Sequence, residues 1–201
     1  MTPVYDYRIS NGASVVSGAG SFTTLTSSTA VTGAGSNFLS VPLGSLLLGY
    51  DSQIVGTVAS VTDNLNLTLR ANALLAYGGS AWFYDPLVNV ETLTPVFPFA
   101  PKGIPRSWYQ SFDLGDANKR GLGTPLTTWH FGFVTRPFRD ALRGYCPVGT
   151  ASANVWIRTK QLDNADAYLT CSAVLLWPDA EPKDAGRRVP FDIEFRAIVV
   201  I

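Results

Sequence analysis

His130 is the only histidine in this 201-residue chain, so imidazole acid–base chemistry has to be sought around it. An imidazole acts as a general base only when a nucleophile or an orienting carboxylate stands within hydrogen-bond reach. Asp113, Asp116 and Asp140 qualify by type alone, and Cys146 is the thiol that would complete a dyad. The context argues otherwise. His130 sits in the alternating run TTWHFGFV, with Trp129, Phe131 and Phe133 on one face, so it points to the other, toward solvent or a neighbouring subunit. Cys146-Pro147 reads as the end of a helix. Cys146 and Cys171 are too few for a disulfide framework, lack metal-ligand spacing, and read as small buried hydrophobes that fit a reducing compartment. Asp113 with Asp116, and Asp163 with Asp166, do not follow the alternating carboxylate pattern of a calcium loop and read as solvated turns. The two GAGS stretches precede neither a Lys-Ser/Thr pair nor a helix, so they are not phosphate loops. The expectation is a non-enzyme with no catalytic residue, bound metal or cofactor.

The remaining candidates concern recognition. Arg136, Arg139 and Arg143, with Lys119 and Arg120, could form a basic patch, and Asp140 lies among the arginines. Arginine matches carboxylates bidentately and is favoured at interfaces. These five residues and His130 are therefore the candidate contact set, with Asp179, Glu181 or Asp184 of another copy as partners. Trp82, Tyr84, Trp108, Tyr109, Trp156 and Trp177 are of a type that stacks on sugar rings. Most are flanked by alternating apolar residues, which favours packing and leaves a carbohydrate-binding module as an alternative for the N-terminal unit, with no particular residue assigned to it.

The elements that must position these residues are strands. Hydrophobic residues make up 46% and aromatics 12%, enough for a substantial core, whereas charged residues are only 15% against about a quarter in ordinary domains. A surface so poor in charge suits burial against copies of itself or partners. The formal net charge is zero, which argues against binding nucleic acid through bulk positive charge. The N-terminus shows no basic region followed by an apolar core, so no signal peptide is expected. The run LSVPLGSLLLGY is too short to span a bilayer and is broken by Pro42 and Gly44.

Residues 1–85 form a low-charge stretch of short alternating runs between turn signals. QIVGTVASV, a turn at Asp63-Asn64 and LNLTL predict a hairpin. GAGSF at 18–22 and GAGSNF at 33–38 form a small internal echo. Residues 86–106 hold Pro86, Pro95, Pro98, Pro101 and Pro105 and read as an extended linker, with Asn89 to Leu93 able to pair at a sheet edge. Residues 107–201 carry frequent charges and large aromatics. Strands are expected at 107–112, 127–134, 153–159, 168–177 and 189–201. A polar loop is expected at 113–123, and a short helix near 136–144, capped by Thr135 with Pro137 in its first turn. The predicted fold class is mainly β: a small N-terminal β-barrel or sandwich module, then a β-sandwich crossed by one short helix.

Two resemblances follow from these motifs. Val31-Thr32-Gly33 through Phe38, Pro42-Leu43-Gly44, the Val58–Leu69 hairpin and Tyr77 to Tyr84 resemble, in that order, a β module of tailed-bacteriophage structural proteins. The chain departs from that pattern at Gly44-Ser45, where an Asp is usual. Phe112, Gly115-Asp116, Trp129 and Ala141-Leu142 loosely resemble the tube-forming β-sandwich of tail tube and distal tail proteins. The resemblances imply a virion protein that assembles in repeated copies, as a ring or trimer, and meets neighbouring virion proteins. A tail component is the expected role, with a capsid decoration protein or a receptor- or carbohydrate-binding module as alternatives. No membrane partner is implied, and nucleic acid at most as an enclosed or passing genome.

Overall fold

The structure, a computed structural model, describes residues 5–93, 101–102, 110–114, 118–147, 149–160, 168–178 and 189–201. The fold is mainly β, 51% strand, with two antiparallel sheets and a single α-helix among the described residues. The chain divides into two compact units, and the smaller is inserted into the larger. The inserted unit runs from Gly12 to Leu87; the host unit takes the residues up to Asn11 and those from Val88 to Val200.

The chain enters the host unit first. Strand β1 (Arg8–Ser10) pairs antiparallel with a strand far along the chain, Ile9 opposite Ile157 and Ser10 opposite Trp156. This differs from the expected boundaries, which placed residues 1–85 in one module. The cause is non-local: Tyr7 and Ile9 are fully buried in the host core, and composition alone does not show which distant strand a short segment will join.

The inserted unit follows, with β2 (Val16–Ser17), β3 (Ser21–Thr24), β4 (Ala30–Ala34), β5 (Leu46–Leu48), β6 (Ile54–Val61), β7 (Asn66–Leu69), β8 (Tyr77–Gly79) and β9 (Phe83–Asp85). These form one sheet in the order β2-β9-β5-β6-β7-β4-β3-β8. The expected hairpin is β6–β7. At its turn the Asp63 carboxylate accepts from the Leu65 N–H at 2.7 Å and from the Asn66 amide at 3.0 Å. The Asn66 hydrogen bond, then the Leu65 one, hold the Asp63 carboxyl below its usual range. The two GAGS copies flank the open end of the β3–β4 hairpin, where Ser21 pairs with Ala34. Gly20 (φ 71°) and Gly35 (φ 65°) are both left-handed, and a Cβ on Gly20 would lie 2.4 Å from the Gly35 carbonyl. The echo is thus the two sides of one close backbone contact. Phe22, Phe38, Val58, Leu67 and Trp82 fill the core, and the Trp82 indole donates to the Ala19 carbonyl at 3.0 Å.

The chain then returns to the host unit. Strand β10 (Val88–Asn89) pairs with β1, Arg8 opposite Asn89, at the edge of the sheet. The expectation of edge pairing near Asn89 holds, but residues 86–93 belong to the host unit rather than to an extended linker. The Asn89 side chain accepts from the Glu91 N–H and donates to the Tyr5 carbonyl, closing a single 3₁₀ turn. The expected linker at 94–100 and 103–106 and the strand at 107–109 lie outside the described residues.

Next come β11 (Gln110–Asp113), β12 (Lys119–Leu122), β13 (Leu126–Val134), α1 (Arg136–Arg143), β14 (Ser152–Lys160), β15 (Tyr168–Leu176) and β16 (Val189–Val200). The host sheet has the order β10-β1-β14-β15-β16-β13, and β11 with β12 forms a separate two-stranded ribbon. The polar loop expected at 113–123 therefore contains a strand. The alternation expected of the last strand is found: Phe191, Ile193 and Phe195 are buried, and Asp192, Glu194 and Arg196 lie on the opposite face. Helix α1 covers the buried face through Phe138, whose ring meets Phe131 at 5.4 Å, and Leu142. Pro137 stands in its first turn, whereas the Thr135 side chain makes no capping hydrogen bond.

Candidate assembly surface

The structure distributes the six candidate contact residues over three places. His130 lies on the exposed face of β13, opposite Trp129 and Phe131, which are buried. Its Nδ1 is 3.0 Å from the Asp192 carboxylate on β16, and its backbone N–H and C=O pair with Lys102. Both side chains of the His130–Asp192 pair are more than half exposed, so the pair contributes little stability. Helix α1 packs on the opposite face of the sheet. His130 and the helix arginines are therefore not brought together.

The helix arginines divide further. Arg136 and Arg139 lie 3.6 and 3.3 Å from Asp140, which neutralises part of their charge locally. Arg136 is largely exposed. Arg143 is anchored inside the host unit: its guanidinium lies 4.7 Å from the centre of the Trp177 ring and donates to the Thr150 carbonyl at 3.2 Å. A cation over an indole in a partly desolvated position is worth about 1 kcal/mol. Arg143 is a packing residue first, and Arg136 with Arg139 is the better probe of a helix contact.

Lys119 and Arg120 lie on β12, opposite Asp113 and Phe112 of β11. Leu114 donates its N–H to the Asn118 carbonyl at 2.9 Å and so closes the ribbon. Among the described residues the ribbon joins neither large sheet, and Leu114 and Leu122 are exposed by 55% and 44%. A lone two-stranded hairpin is marginal in water. Three residues, Gly123-Thr124-Pro125, connect it to β13, whose first residue Leu126 pairs with Arg196 of β16. Beyond that point β16 continues past the end of β13. Ala197 takes a left-handed φ of 52°, Ile198 donates its N–H to the Pro125 carbonyl, and Val199 and Val200 are 61% and 56% exposed. Among the described residues Val199 and Val200 pair with β15 on one side only. A ribbon bearing two exposed leucines and a stretch of β16 that extends past its neighbour thus adjoin the same end of β13.

One charged cluster was missed by reading the sequence. The Asp6 carboxylate bridges Arg8 at 2.6 Å and Arg158 at 2.5 Å, and Arg158, almost fully buried, also donates to the Thr170 hydroxyl at 3.1 Å. Burial pushes the Asp6 carboxyl up, but the hydrogen bonds from Arg8 and Arg158 and their charges outweigh it, and the net direction is down. Asp6 and Arg158 are 152 residues apart, so no local signal pairs them. The two thiols, Cys146 and Cys171, are both buried and unbonded to each other, and burial pushes the Cys171 thiol up to about 11 despite the nearby Arg158 charge. A thiol so protonated is a poor nucleophile. Among the described residues no three His, Cys, Asp or Glu side chains are grouped to hold a metal ion. Among the described residues no helix is long and apolar enough to cross a membrane.

Of the aromatic residues weighed for sugar stacking, Trp82, Tyr84 and Trp177 are buried, and Trp156 is half-buried on the face of the host sheet away from Ile157. Trp108 and Tyr109, like Asp116, Asp163, Asp166, Asp179, Glu181 and Asp184, lie outside the described residues. No protein-family model matches the chain, and neither the curated proteins nor the solved structures contain a match.

Proposed function

We propose that this protein is a structural component of a tailed-bacteriophage virion that assembles in repeated copies, as part of the tail: tube, distal-tail ring or baseplate. The observation that carries the assembly reading is the β11–β12 ribbon. Among the described residues it pairs with neither large sheet, it carries exposed Leu114 and Leu122, and it leads into the end of β13 where β16 runs on with Val199 and Val200 exposed. A ribbon that pairs with the extended β16 of a neighbouring copy uses two different surfaces, so the contact is head-to-tail and closes into a ring when the rotation allows. The ordered motifs from Val31 to Tyr84 support the virion setting, and the low charge content supports a surface that is largely covered in the assembled state.

Light scattering and negative-stain imaging of the purified protein test this. A closed ring with a central hole, or tubes, is expected. Replacing Leu114 and Leu122 together by Asp should leave a folded monomer. A wild-type protein that remains monomeric at high concentration, or a double variant that still assembles, overturns the ribbon contact. A compact trimer without a lumen that binds capsids and raises their heat resistance would replace the tail role with that of a capsid decoration protein.

A further inference from the structure

The solvent face of the host sheet carries a shallow depression of about 450 Å³ between β14 and β15, lined by Asn11, Asn154, Trp156, Ser172, Val174 and Ala197. Its shape has a local cause. The β15–β16 register shifts between Ser172 and Val174, and Ala197 opposite adopts a left-handed φ of 52°, so the pleat is interrupted there. Trp156 forms an aromatic wall. Among the described residues, neither its indole N–H nor the Asn154 side chain makes a hydrogen bond within the protein. The Asn11 amide donates weakly to the Gly144 carbonyl, at 3.4 Å.

We propose that this groove binds a neutral saccharide, with one pyranose ring stacked on Trp156 and its hydroxyls held by Asn154, Asn11 and Ser172. The chemistry of the lining selects this class. No Lys or Arg lines the groove, so a phosphate or nucleotide finds no counter-charge. The groove is open, so an apolar ligand would keep much of its surface in water, unlike in an enclosed pocket. A sugar ring is apolar on its C–H faces and polar around its rim. An indole with a free N–H supplies the flat apolar surface together with a donor. Carboxamides and a hydroxyl each offer both donor and acceptor, which is what adjacent sugar hydroxyls require.

The test uses the full chain labelled with 5-fluorotryptophan, which gives a fluorine resonance for each of its five tryptophans. The Trp156 line is assigned by its loss in Trp156→Phe or, should that variant not fold, by its shift in the neighbouring Asn154→Gln. The methyl glycosides of glucose, galactose, mannose and N-acetylglucosamine are titrated in turn, with glycerol as a control. At least one glycoside should move the Trp156 line saturably in the millimolar range while the line of buried Trp129 stays fixed. Asn154→Ala should weaken that binding about tenfold, the effect of one lost hydrogen bond to a ligand. Three results overturn the proposal: a Trp156 line unmoved by every glycoside, a line that glycerol moves equally, or a line that responds only to protein concentration, which would make the groove a contact between copies.

Discussion

In the inserted unit, β3 pairs with β4, β5 with β6 and β6 with β7, each with the next strand along the chain. In the host unit β14 pairs with β15 and β15 with β16 likewise, whereas β1 with β14 and β13 with β16 pair across long stretches of sequence, as β2 and β9 do in the inserted unit. Close pairings close short loops, and their turn residues announce them; distant pairings must first overcome a larger loop-closure entropy and leave no local mark. The stabilising devices differ accordingly. The inserted unit relies on glycines that let backbones touch and on an apolar core. The host unit has its own apolar core and adds a part-buried charge cluster that ties residue 6 to residue 158. The pairing of Ile9 with Val88 also explains how the insertion is tolerated: the strands flanking the inserted unit are hydrogen-bonded neighbours, so the host sheet is continuous across its gap.

The largest expected effect breaks the host unit through residues that sequence order assigns to the other. Deleting residues 1–11 removes β1, the buried Tyr7 and Ile9, and the only carboxylate bonded to Arg158 among the described residues. The host unit should lose cooperative unfolding while the inserted unit keeps its own, as read by limited proteolysis with mass-spectrometric mapping. Intact host fragments after this deletion would refute the insertion topology.

Next in size, Arg158→Ala removes the Arg158 bonds to Asp6 and to the Thr170 hydroxyl. Breaking this part-buried pair costs about 1.5–3 kcal/mol, measurable by urea unfolding, with the loss confined to the host transition. Gly20→Ala is the corresponding change in the inserted unit. A left-handed backbone and a 2.4 Å approach to Gly35 set its cost at about 1–3 kcal/mol, and the host transition should not move.

The smallest effect is in acid. The folded Asp6 carboxyl is held below its unfolded value, so its contribution is fully present above about pH 4 and is lost as pH falls through the folded value. Host-unit stability should therefore fall steeply below about pH 4, and Asp6→Asn should flatten that part of the profile. An unchanged slope in Asp6→Asn would assign the acid sensitivity to other carboxylates.

Much of the fold was legible in advance where the signal was local. The Asp63-Asn64 turn, the alternation through Phe191, Ile193 and Phe195, and the helix begun by Arg136-Pro137 all depend on neighbours in sequence. The candidate contact residues were legible only as types. Arg143 and Arg136 share one helix, yet the fold turns Arg143 onto Trp177 and leaves Arg136 in water. Lys119 and Arg120 were read as loop residues because three glycines in 113–123 mask a short ribbon.

By itself the sequence determined that the protein is mainly β, low in charge, and divided by composition into two regions. Periodicity and turn chemistry act over a few residues, and both are written in residue order. Only the tertiary structure decided that the first strand belongs to the second region, that Asp6 meets Arg158, and that one exposed ribbon stands apart from both sheets. Those outcomes depend on which distant backbone edges and charges can be buried together, and that energy is a property of the folded arrangement rather than of any window of the chain.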